Sequence, residues 1–217
     1  MRILAIVGSP HRKIGNTYQI VKRLLKEAAK KGFETEIVNL SDLKINYCMG
    51  CASCLRKGEC IQKDDIKDLH EKMLHSDGII LGSPVYFLNV SSQMKTFIDR
   101  SFHMGHRPCL QGKYGASVSV YSGIGDVEWV ARYMNNVLRG MGAYTVGSVT
   151  ALATKPGELK SEAFEDAERL GRELIGAIVE KKEFRDIDRT AMKDLILNNK
   201  DLFKADYKYW KDKDWIE

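Results

Sequence analysis

With 217 residues, 44% of them apolar and 29% charged, the chain is long enough for one good core and rather short for two. Its 34 lysines and arginines against 29 aspartates and glutamates are interspersed instead of blocked, which describes a solvated surface, so no nucleic-acid partner is expected. No stretch approaches the roughly 18 apolar residues of a membrane span, and the run at 3–7 is too short for a signal-peptide core, so no membrane partner and a cytoplasmic location are expected.

Along the chain, strand and helix patterns alternate. Residues 3–7 form a compact β-rich run ending in Gly8-Ser9-Pro10, and Ile20, Val21, Leu24, Leu25 and Ala28 then mark one apolar helical face. Residues 34–40 alternate like a strand, and Asp64 or Asp65 can cap a helix carrying Ile66, Leu69 and Met73. The buried run Ile79-Ile80-Leu81 predicts a third strand between Gly78 and Gly82, followed by a helix over 91–101. A strand over 116–121, a helix over 126–141, a strand over 143–150 and a long charged helix over 161–182 complete the series. Five strands with intervening helices imply an α/β fold: a doubly wound five-stranded parallel sheet in three layers. The expected organisation is one domain over 1–182 and a C-terminal extension over 183–217, rich in Lys, Asp, Tyr and Trp.

Ligands of such sheets sit beyond the carboxyl ends of the strands. The loop after the first strand, Gly8 to Thr17, lacks both the GxGxxG dinucleotide fingerprint and the Gly-Lys-Ser/Thr ending of a triphosphate loop. It nevertheless carries neutral donors in Ser9, Asn16 and Thr17, a cation in Arg12 or Lys13, and a helix start whose free N–H groups favour an anion; a plain helix start is the alternative. His11 is within reach of a phosphate or flavin, or is a solvated loop histidine. After the third strand, Gly82 to Asn89 contains Pro84, which predicts backbone groups that cannot all pair, beside the aromatic pair Tyr86 and Phe87; this suits a flat heteroaromatic ring. Tyr121-Ser122-Gly123-Ile124-Gly125 allows close backbone approach at the next strand end, although a plain turn would read the same way. Three such loops, with no ribose-binding acid evident after the second strand, favour a mononucleotide such as FMN over a dinucleotide.

The loop ending Gly15-Asn16-Thr17, the stretch Ser83-Pro84-Val85-Tyr86-Phe87 and the continuation Gln93-Met94-Lys95-Thr96-Phe97-Ile98-Asp99-Arg100 resemble the flavodoxin-like NAD(P)H-dependent FMN reductases. With Cys48-x2-Cys51-x2-Cys54-x5-Cys60 added, in a loop over 47–61 after the second strand, the sequence resembles the iron-sulfur flavoproteins over roughly residues 1–180. It departs from the family pattern in placing His11 directly after Pro10, with the basic residue moved to Arg12. The resemblance implies FMN on the strand ends, a 4Fe-4S cluster nearby, and a homodimer or homotetramer. It further implies that Ser9, Arg12, Asn16 and Thr17 hold the FMN phosphate, and that Pro84, Val85, Tyr86, Phe87 and Asn89 line the flavin and ribityl chain. Ser122, Gly123 and Gly125 would approach the ring, and Cys48, Cys51, Cys54 and Cys60 would ligate iron.

Thiolates are soft ligands for either an iron-sulfur cluster or zinc. Structural zinc usually takes two x2 knuckles separated by a longer insert, whereas three consecutive cysteines at x2 spacing suit a cubane; zinc or free thiols remain the alternatives. A disulfide is disfavoured in the expected compartment. His103-x2-His106-x2-Cys109 has metal-like spacing, but a lid or subunit contact explains it as well. His70 and His75 require no function, and Trp129 with Tyr133 reads as packing. Tyr207, Tyr209, Trp210 and Trp215 give the extension considerable apolar area, for which a subunit interface is expected. The expected activity is electron transfer between a one-electron donor such as ferredoxin and a small-molecule acceptor. The alternatives are an NAD(P)H-dependent FMN or quinone reductase with a structural or zinc-binding cysteine loop, and a non-catalytic carrier or interaction module.

Overall fold

A computed structural model describes residues 1–184 and 189–216. Five parallel strands, β1 (Arg2–Val7), β2 (Glu34–Asn39), β3 (Gly78–Tyr86), β5 (Tyr114–Tyr121) and β6 (Tyr144–Leu152), lie in the order β2-β1-β3-β5-β6. A two-residue strand, β4 (Asn89–Val90), folds back antiparallel onto the end of β3. Crossover helices cover both faces, which explains why the strands read as apolar runs. On β1, Ile3, Ala5 and Val7 face one core with α1 (Asn16–Lys30) and α7 (Ser161–Glu180). Leu4 and Ile6 face the other, with α3 (Ile66–Leu74), α4 (Ser92–Arg100), α5 (Phe102–His106) and α6 (Val127–Gly140). The three-layer expectation and each of the five strands are therefore found, with ends shifted by a few residues.

Three departures bear on the site. First, the segment after Gly82 does not leave its backbone unpaired: β3 runs on to Tyr86, with Pro84 opposite Val120 of β5 and Val85 opposite Val90 of β4. Second, the cysteine loop contains a short helix, α2 (Ser53–Lys57), which the cysteine spacing did not announce. Third, the extension forms two helices, α8 (Thr190–Asn198) and α9 (Lys204–Asp212), while residues 185–188 and 217 of it lie outside the described residues. Its apolar groups are buried within the chain: Ile196, Phe203, Trp210 and Ile216 make a third small core with Leu55 of α2. The apolar groups for which a subunit interface was expected thus pack against α2 of the cysteine loop in the same molecule.

Candidate functional site

The parallel register brings the carboxyl ends of four strands to one edge, where Val7 pairs with Gly82, Pro84 with Val120, and Tyr121 with Leu152. The loops leaving these ends surround a cleft of about 160 Å³. Ser9, His11, Asn16 and Thr17 contribute from the first loop, Pro84, Val85 and Tyr86 from the hairpin, and Ser122 from the next loop. A fourth wall, Ala153 to Pro156 after β6, was not among the sequence candidates; the turn residues Thr154-Lys155-Pro156-Gly157 at the last strand end were the available signal.

The first loop offers free backbone N–H groups to the cleft. Helix α1 starts at Asn16 with Gly15 as an N-cap that offers no side-chain bond, and its first turn holds no acidic residue, so its N–H groups and positive dipole end are uncompensated. A Cβ on Gly15 would lie 2.7 Å from Ser9 Oγ, so only glycine lets the loop close this tightly. Ser9 and Thr17 are buried at the base. Asn16 is committed otherwise: its Nδ2 donates to Lys155 O at 2.8 Å and its Oδ1 accepts from Gly157 N at 2.8 Å, tying the first loop to the fourth. Arg12 does not line the cleft; its Nε pairs with Asp42 at 2.7 Å on the far side of the turn.

The hairpin presents its tip to solvent. Phe87 and Leu88 adopt φ of 43° and 67°, the left-handed values a two-residue hairpin turn requires, and Phe87 is 100% exposed. Asn89 Oδ1 accepts from Val90 N, so Asn89 and Phe87 stand on the rim and do not line the cleft. Gly123 and Gly125, at φ of 102° and 105°, turn the neighbouring loop towards this hairpin; a Cβ on Gly125 would meet Val85 at 3.2 Å.

The cysteine loop is closed by a polar neck. Asp65 N donates to Lys44 O at 3.1 Å while Lys44 N donates to Asp65 Oδ2 at 2.7 Å, and Asn46 N donates to Asp64 Oδ2 at 2.9 Å. Arg100, the last residue of α4, donates through Nη1 to Asn46 O and Asp64 Oδ2, and through Nη2 to Asp64 Oδ1 and Cys60 Sγ at 3.4 Å. Burial works against both charges of this pair, but their mutual bonds prevail, holding the Asp64 carboxyl below and the Arg100 guanidinium above their usual ranges.

The family model for NADPH-dependent FMN reductase matches residues 1–157. An iron-sulfur flavoprotein of Archaeoglobus fulgidus is 46% identical over 221 aligned positions spanning 100% of both chains. Another, of Methanocaldococcus jannaschii, is 36% identical over 82% of this chain and 97% of its own. The chain belongs to the iron-sulfur flavoprotein family. Among solved structures, an archaeal flavodoxin superposes with a TM-score of 0.56 at 15% identity over 82% of this chain and 99% of its own, which shows the flavodoxin-like fold.

As an iron-sulfur flavoprotein the chain is a flavin-dependent oxidoreductase. All four loop cysteines are free thiols; Cys48 and Cys51 are exposed, whereas Cys54 and Cys60 are half-buried. Among the described residues no three His, Cys, Asp or Glu side chains are gathered as a metal-ion site. The donor set nevertheless suits an iron-sulfur cluster: four thiols follow one another on a loop held at its neck, with Gly50, Ala52 and Gly58 at positive φ supplying sharp turns. Gly50 N already donates to Cys48 Sγ at 3.5 Å. Burial, followed by the nearby Cys60, pushes the Cys54 thiol up, so without a bound cation it stays protonated at neutral pH.

A second arginine, Arg107, holds the other side of the loop. It donates to Gly58 O at 2.7 Å and Cys54 O at 3.4 Å while its Nε pairs with Asp206 of α9, fully buried, at 2.9 Å. His106 and His103 therefore belong to the packing beneath the loop. His106 stacks edge-on with Phe102 and accepts through its carbonyl from Trp210 Nε1 at 2.6 Å, and His103 packs edge-on against His70. Cys109 donates to the carbonyl of Arg107. Trp129 and Tyr133 stack on each other with rings 5.5 Å apart.

Proposed function

We propose that this iron-sulfur flavoprotein passes electrons between a one-electron donor of the ferredoxin type and a small-molecule acceptor, using FMN in the strand-end cleft and a 4Fe-4S cluster on Cys48, Cys51, Cys54 and Cys60. When bound, the cluster supplies one-electron and FMN one- or two-electron redox chemistry. The observation that carries this reading is the placement of α4. Its N-cap, Ser91, donates through Oγ to Gly8 O at 2.5 Å and through N to Ser83 Oγ at 2.9 Å, behind the cleft loops. Its other end, Arg100, is in the cysteine neck. Nine helical residues span roughly 13 Å, a separation short enough for electrons to pass between groups held at the two ends.

The residues divide the work of holding FMN. Ser9, Thr17 and the free N–H groups at the start of α1 receive the phosphate, and His11 stands beside them. Asn16 positions the loop carrying Lys155, which replaces Arg12 as the available cation in the cleft wall. Pro84, Val85 and Tyr86 with Ser122 form the apolar and polar walls for the ring, while Gly123 and Gly125 allow its close approach. Phe87 and Asn89 cover the edge from the rim. Exposed Tyr47, Met49, Phe87 and Ile124 fit the proposal that two or four copies assemble.

Anaerobic purification with iron, acid-labile sulfide and FMN analysis, then separate titration with reduced ferredoxin and NADPH, tests the proposal. It expects about one cluster and one FMN per chain. Serine at Cys48, Cys51, Cys54 or Cys60 should sharply reduce iron, and full iron retention would refute the ligand set. Rapid flavin reduction by NADPH in an iron-free variant would instead favour an NAD(P)H-dependent FMN or quinone reductase, the activity for which the matched family is named.

A further inference from the structure

We propose that Arg100 is a positioning residue that sets the reduction potential of the group on the cysteine loop, through a charge-balanced hydrogen bond to Cys60; this rests on reading the loop as the ligand of a 4Fe-4S cluster. An arginine on a helix flank ordinarily reaches for solvent, but the side chains of Arg100 and Asp64 are only 0% and 3% exposed. Such a pair is costly to bury unless every donor and acceptor is used. Here Nη1 and Nη2 are used on three partners, Asn46 O ahead of the cysteines, Asp64 behind them and Cys60 Sγ itself, while the buried Nε has no partner, so the pair is held at a cost that its place beside the sulfur explains. The same guanidinium therefore joins both ends of the loop and puts one N–H on a sulfur.

An N–H donated to a ligating sulfur draws off its negative charge and favours the reduced form of the cluster, which raises the potential. The Asp64 carboxylate opposes this by cancelling much of the guanidinium charge. The pair thus tunes in two directions: losing the sulfur contact lowers the potential, and losing the aspartate charge alone raises it. A purely structural salt bridge would give no such opposition of sign.

The test compares the holoprotein with Asp64→Asn and with the double variant Arg100→Met/Asp64→Asn, which removes both charges and leaves no unpaired ion in the interior. The double variant should retain iron but shift the equilibrium against the reduced cluster by about tenfold, as loss of one hydrogen bond to a charged acceptor implies. Asp64→Asn should shift it the other way. Parent-like potential in the iron-loaded double variant, or shifts of the same sign in both, overturns the proposal. A second readout needs no cluster. In metal-free protein at neutral pH, iodoacetamide labelling followed by peptide mass analysis should show Cys60 reacting severalfold more slowly in the double variant, because the guanidinium N–H no longer favours the attacking thiolate, with Cys48 unchanged. If the parent itself takes up no iron and sulfide, the cluster reading fails by itself, and an unchanged Cys60 labelling rate then overturns the Arg100 contact separately.

Discussion

The hairpin tip shows at a single pair of residues what local rules leave out. Two-residue turns of this kind favour Asn-Gly because both positions need positive φ, yet this chain places Phe87 and Leu88 there, at roughly 1 kcal/mol or more each. Strain kept on a fully exposed aromatic beside a cleft indicates that the side chain is wanted for contact with a ligand or partner. Phe87→Asn/Leu88→Gly should therefore raise unfolding free energy by about 1 kcal/mol in denaturant titration while weakening FMN retention or turnover. Equal stability with unchanged cofactor affinity would remove the argument. The residue types in the first loop suggested an anion site, but which of them face the cleft was not legible. Whether Asn16 meets a phosphate or a backbone, and whether Arg12 meets a phosphate or Asp42, depends on segments 139 and 30 residues away in the chain.

Elements behave similarly. The amphipathic pattern of 91–101 predicts α4, and its Ser91 cap is found accepting from Met94 N at 3.2 Å. Nothing in a periodicity says that the terminal arginine turns inward to a cysteine loop 40 residues earlier. Likewise, the aromatic content of the extension suggested a subunit interface, whereas its buried groups pack within the chain on Leu55 and the backbone of α5. Trp210 is only 2% exposed, so Trp210→Ala should cost about 3–5 kcal/mol in the packing of α9 against α2. The loss should appear as increased protease cutting around residues 53–57 and faster iron loss on exposure to a chelator. Stable iron binding with α9 detached would show that the extension does not support the loop.

For the whole molecule, buried histidines beneath the cysteine loop couple stability to pH. Burial, then repulsion by Arg100, lowers His70 to about 4 despite the opposing Asp64. Burial, then His70 and the neighbouring cations, lowers His103 to about 3. Both are neutral in the fold, whereas the unfolded chain protonates near 6.5, so the stability gained from keeping them neutral is complete above that value and falls as pH drops towards 4. Below about 4, protonation of Asp64, held low by Arg100, adds to the loss. Thermal melts of the metal-free protein between pH 7.5 and about 4.5 should show this decline, and His103→Gln should flatten it. An unchanged slope would contradict the burial of a neutral imidazole at that position.

The sequence by itself determined the doubly wound sheet, the strand-end edge that carries the cleft and the cysteine loop as a distinct unit, because apolar periodicity, turn residues and thiol spacing are local properties. Only the tertiary structure decided which polar groups face the cleft, that the hairpin continues β3, and that the extension packs against Leu55 and Cys54 of the cysteine loop. The joining of cleft and cysteine neck through α4 was decided there too. Those outcomes depend on register between strands and on burial of charges against distant partners, and neither quantity is written in any short stretch of chain.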